Sequence, residues 1–104
     1  MSKKDITIIG IGASAGGLEA LQSLIGNLPA KSNMAYIVAQ HLSPTYKSLM
    51  VELLSKGTHL SVLPASHGIE AKANTIYVCP PDENIFLDGN TILLAIPIRL
   101  WFGK

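Results

Sequence analysis

The sequence predicts an α/β fold: a three-layer, doubly wound (Rossmann-like), mostly parallel sheet, incomplete, with a C-terminal β-hairpin. Three observations predict it. A β-branched run stops at glycines and passes directly into a helical period; the same strand-then-helix alternation follows once more; and the later part is a series of short strand-like pieces divided by turn residues. With 48% hydrophobic and 14% charged residues, the chain is too apolar for a disordered tail and suits elements covered on more than one face. At 104 residues it is one domain, 1–104, large enough to bury roughly two thirds of its unfolded surface.

The first element is the run Asp5-Ile6-Thr7-Ile8-Ile9-Gly10-Ile11-Gly12, read as a buried parallel strand. From Ala15 to Leu28 the apolar residues Leu18, Leu21, Leu24, Ile25 and Leu28 recur at helical spacing. Ser14 stands at the N-cap, and Gly26 and Pro29 lie near the end. Ala35 to Ala39 is the second strand. Ser43-Pro44 opens the second helix, whose stripe is Tyr46, Leu49, Met50, Leu53 and Leu54, ending near Gly57. Right-handed crossovers place both helices. Leu60–Leu63, Thr75–Cys79, Asn84–Leu87 and Thr91–Ala95 are further strands. The last two are joined as a hairpin by Asp88-Gly89-Asn90, where glycine supplies the positive φ such a turn requires.

The bulk numbers exclude several classes. A formal net charge of +1, with no basic block beyond Lys3-Lys4, lacks the footprint of phosphate-backbone binding, so no nucleic-acid partner is expected. A single Cys79 allows no internal disulfide and no cysteine-based zinc site, and no metal is expected. No apolar span has membrane length, so no direct membrane insertion and a cytoplasmic location are the expectations.

Gly12-Ala13-Ser14-Ala15-Gly16 matches G-x-S-x-G at the strand-to-helix turn where a nucleophile elbow belongs. Gly12 and Gly16 allow a sharp turn and close approach of a substrate, and the helix N-terminus presents free N–H groups, that of Ala15 first, to an oxyanion. A plain N-cap needs a serine but no glycine on both sides, which favours Ser14 as a nucleophile. A serine hydroxyl needs a neighbouring base. His41, at the end of the second strand, meets that need, because ligands of open α/β sheets sit at the carboxyl ends of the strands. His59 and His67 are secondary candidates for the base. Neither terminates a run that reads as a central strand, so turn or surface roles suit them better.

The stretch Ile8 to Ala20, followed by Val38-Ala39-Gln40-His41-Leu42-Ser43-Pro44 and by Ile76-Tyr77-Val78-Cys79-Pro80-Pro81-Asp82, resembles the catalytic domain of CheB methylesterases over Asp5 to Ala95. The resemblance implies a cofactor-free serine hydrolase of two-component chemotaxis signalling. Such an enzyme cleaves glutamyl methyl esters on methyl-accepting chemotaxis receptors, and Ser14 maps to its nucleophile and His41 to its base. It also implies a domain that stops before the family's Gly-Met-Gly-x-Asp-Gly segment, which carries the catalytic Asp. These 104 residues contain no such segment, and Asp82 and Asp88 do not match it. The tail Ile96–Lys104 does not follow the family. Met1–Lys4 leads straight into the first strand, so phosphorylation control within the chain is not expected.

A parallel sheet cut short leaves a bare edge, from which a homo-oligomer is expected, with Trp101 and Phe102 as contact candidates. Two other function classes compete with the enzyme reading. One is a non-catalytic fragment that docks on receptors or on its own copy. The other is a Rossmann-type dinucleotide module suggested by Gly10, Gly12 and Gly16, against which Gln40-His41 stands where an acidic residue should hold the ribose.

Overall fold

A computed structural model describes residues 5–13, 18–40, 50–80 and 83–95. Four parallel strands form the sheet: β1 (Thr7–Ala13), β2 (Met34–Gln40), β3 (Ser61–Pro64) and β4 (Thr75–Val78), in spatial order β1-β2-β4-β3. Helix α1 (Leu18–Gly26) joins β1 to β2, and α2 (Met50–Ser55) lies between β2 and β3. A separate antiparallel pair, β5 (Asn84–Asp88) and β6 (Thr91–Ala95), is the expected hairpin. Its Asp88↔Thr91 register leaves Gly89-Asn90 as the turn, and the positive φ falls on Gly89 at 61°.

The strand order explains which face each connection covers. From β1 to β2 and on to β3 the chain advances in one direction, so right-handed crossovers lay both helices on the same face. Leu21 and Ile25 of α1 and Met50 and Leu54 of α2 are accordingly buried in one cluster with Tyr36, Val38, Val62 and Ile76. The step from β3 back to β4 reverses direction, so its connection crosses the opposite face. Ala65 and Ala71 from that connection, with Ile92 of β6, pack there on Ala35, Ile37 and Tyr77. Both faces of β2 are thus buried, which is why its sequence is a continuous apolar run rather than an alternation. Among the described residues the second outer layer is built from the hairpin and this connection, not from helices.

Two local details differ from the sequence reading. Helix α1 ends at Gly26 rather than Leu28, because the amides of Asn27 and Leu28 donate to Leu24 and Ile25 at 3.1 and 3.2 Å in tighter, three-residue bonds. Pro29 disfavours a helical Leu28, which completes the stop. Leu24, counted in the apolar stripe, is 46% exposed; among the described side chains the buried face runs through Leu21 and Ile25, with Leu28 packed at its margin. The caps at Ser14 and Ser43-Pro44, the stripe positions Tyr46 and Leu49, and the tail Ile96–Lys104 lie outside the described residues.

Candidate active site

The carboxyl ends of β1, β2 and β4 form one edge. β1 and β2 are direct neighbours without an intervening strand, and their register runs unbroken from Thr7↔Met34 to Ala13↔Gln40. Ala13 immediately precedes Ser14 and Gln40 immediately precedes His41. Ser14, Ala15, Gly16 and His41 themselves lie outside the described residues. β4 reaches the same edge on the other side of β2, through Val38↔Val78 and the Cys79 amide, which donates to the Val38 carbonyl at 2.8 Å.

Gly12 is a strand residue, and the pairing of β1 continues through Ala13. It has no positive φ, and the turn expected after it falls on residues outside the described ones. Its visible use is spatial. A Cβ at Gly12 would meet only the Ala39 carbonyl oxygen at 3.8 Å, and one at Gly10 would meet nothing within 4 Å. The two glycines therefore keep the hairpin-side face of β1 low. Above it is a cavity of about 380 Å³, floored by Gly10, Gly12 and Ala39 and walled by Phe86 and Leu87 of β5. Phe86 and Leu87 are 52% and 46% exposed, so the wall is apolar and open to solvent. A second cavity, of about 480 Å³, is more polar. It is lined by Ser32, Asn33, Lys72, Asn74 and Asn90 at the amino-terminal edge of the sheet, far from Ala13 and Gln40.

Cys79 has no site role in the sequence pattern. It sits at the carboxyl edge of β4, with its thiol near the carbonyls of Pro80 and Glu83 at 3.5 and 3.4 Å. Burial pushes the thiol up from its ordinary value and the nearby Glu83 carboxylate adds to this, so the sulfur stays protonated and is a poor competitor for nucleophilic work. No sequence signal separates such a cysteine from a core one; its position at the edge comes only from the β2–β4 pairing.

Of the secondary histidines, His59 is exposed and precedes β3, which puts it at the edge opposite Ala13 and Gln40. His67 follows β3, and its Nδ1 accepts a bond from the Leu94 amide at 2.8 Å. Among the described residues no group of three or more His, Cys, Asp or Glu is placed to hold a metal ion. Nor is any helix among them long and apolar enough to cross a membrane.

The parallel sheet, the reversal of winding after β3 and the paired strand ends define a Rossmann-like α/β domain with its candidate site at the carboxyl edge. The comparisons make the class specific. The CheB methylesterase family model matches residues 9–100, and the chain belongs to that family. A protein-glutamate methylesterase/protein-glutamine glutaminase of Desulfitobacterium hafniense is 31% identical over 98 residues, which cover 92% of this chain and 25% of the relative. One of Lawsonia intracellularis is 34% identical over 97 residues, covering 93% and 27%. The crystal structure of the Thermotoga maritima CheB methylesterase catalytic domain superposes with a TM-score of 0.72 at 27% identity, over 86% of this chain and 49% of that one. The chain thus spans about a quarter of the length of these curated relatives.

Proposed function

We propose that the chain carries the nucleophile and the general base of a protein-glutamate methylesterase, Ser14 and His41, with the Ala15 amide as first oxyanion donor and Gly12 and Gly16 keeping the backbone open to the substrate. The observation that carries this reading is the Ala13↔Gln40 pair. Neighbouring strands lie about 4.8 Å apart, and each following residue is one covalent step of about 3.8 Å away. That spacing supports a hydroxyl and an imidazole attached there acting together at a single edge.

In the reaction, His41 takes the proton of the Ser14 hydroxyl as Oγ bonds to the ester carbonyl carbon. The oxyanion is held by backbone amides. His41 returns the proton to the methoxy oxygen, methanol leaves, and water, activated by the same imidazole, cleaves the glutamyl-serine ester to a carboxylate and free serine. No metal or organic cofactor takes part. The substrate class is a protein that carries glutamyl methyl esters, in keeping with the names of the relatives; the methylated chemotaxis receptor is the substrate that the family resemblance implies, and the single cysteine suits a cytoplasmic location.

A fluorophosphonate probe tests the pairing without needing a complete turnover cycle. Labelling at Ser14 that drops at least 100-fold in His41→Ala is the expected result, since a positioned base contributes roughly 10²–10⁴. Labelling that ignores His41 rejects the pair.

A second reading, a self-associating or receptor-docking chain, is favoured by one observation: among the described residues β1 pairs only with β2, so its other edge is bare beside an apolar trough. Such edges are templates for another strand. Sedimentation equilibrium is expected to give a dimer or larger species, and a clean monomer at micromolar concentration counts against this contact.

A further inference from the structure

We infer that His67 is a proton-sensitive latch on the hairpin, holding the Leu94 end of β6 only while its imidazole is neutral. The edge of β6 facing away from β5 is paired with the β3–β4 connection. Gly68 donates to the Ile92 carbonyl, Ile92 to the Ile69 carbonyl and Ala71 to the Asn90 carbonyl, each at 2.7 Å, and Glu70 bridges Thr91 in antiparallel sense. Two residues beyond Ile92, the Leu94 amide finds no backbone carbonyl in this series; it donates to His67 Nδ1 at 2.8 Å. The imidazole extends the ladder by one rung.

That rung depends on protonation state in a way the others do not. Nδ1 accepts only when it carries a lone pair, with the ring proton on Nε2; in the imidazolium both nitrogens are donors, so an Nδ1–H would face the Leu94 N–H. Proton binding at Nδ1 and docking of Leu94 therefore exclude each other. The latch is present while the ring is neutral and is lost when the ring takes up a proton. The elements packed here carry Glu70 and Lys72 on the connection, Glu83 just before β5 and Asp88 at its end, and Tyr77 on β4 with Cys79 just after it, while β6 has no titratable side chain. None of these is an imidazole, so the His67→Ala variant separates the ring's part from theirs. The release is local, because the three backbone bonds at Asn90–Ile92 remain. It reaches the trough through the register: Leu94 pairs with Ile85, a lining residue beside Phe86 and Leu87.

Amide hydrogen exchange by NMR, corrected for the intrinsic pH dependence, reads the latch directly. The Leu94 amide is expected to lose roughly three- to tenfold protection from pH 7.5 to 5.5, the worth of one ordinary hydrogen bond, while Ile92 keeps its own. His67→Ala should show the low Leu94 protection at both pH values. His67→Asp, whose carboxylate accepts across that range, should show the high value at both. Leu94 protection that is independent of pH in the parent chain, or unchanged in His67→Ala, overturns the inference.

Discussion

Hydrolysis of a glutamyl methyl ester by the purified chain is expected to run about 10⁴-fold slower than by an enzyme with a complete Ser-His-Asp triad, and to vanish in Ser14→Ala. The physical reason is orientation. An imidazole without a carboxylate behind it is free to take the wrong tautomer or swing away from the hydroxyl, and the cation it forms while holding the serine proton loses its nearest counter-charge. A factor of about 10⁴ corresponds to ~5.5 kcal/mol of lost transition-state stabilisation. These 104 residues lack the Gly-Met-Gly-x-Asp-Gly segment from which that carboxylate would come. Methanol release from a methylated receptor peptide, followed for hours, measures the rate. Turnover at the pace of an intact enzyme that disappears with Ser14 would show that another group orients His41. Slow turnover that survives Ser14→Ala would remove the serine from the chemistry altogether.

The second large effect is on stability. Ile76→Ala is expected to cost about 2–5 kcal/mol, from lost burial plus the cavity left behind. Ile76 is fully buried, on the strand between β2 and β3, paired in register with Tyr36 on one side and Val62 on the other. No neighbour can collapse into the gap without disturbing two strand pairs. Because a small domain is stable by only about 5–15 kcal/mol, the variant should melt at least about 8 °C lower, at roughly 4–8 °C per kcal/mol. Leu24→Ala, at an exposed site on α1, is the matched control and should move the midpoint little. If the two variants melt alike, Ile76 does not occupy the centre of the sheet.

The paired ends of β1 and β2 were legible from residues alone because two short apolar runs, each followed by a helical signal, leave few topologies open: a β-α-β unit puts its strands parallel, and commonly side by side. The hairpin was legible for an equally local reason, the glycine at a turn that needs positive φ. Ser14 and His41 were named because a G-x-S-x-G turn and a histidine closing the next strand carry chemistry in their residue types. The motif shows that a side chain is absent but not which face of the strand benefits, and the open space above Gly10 and Gly12 exists only once the hairpin is laid over β1.

By itself, then, the order of residues determined the element types, the parallel sense of the first two strands and the residue pair offered for catalysis, because propensity, period and turn chemistry act over a few neighbouring positions. Only the tertiary structure decided that β4 inserts between β2 and β3, that Cys79 joins the edge of the candidate site, that His67 accepts a bond from β6, and that Leu24 faces solvent. Those facts depend on which distant segments share a face or a strand edge, and nothing within one run of residues encodes the direction in which the chain turns back.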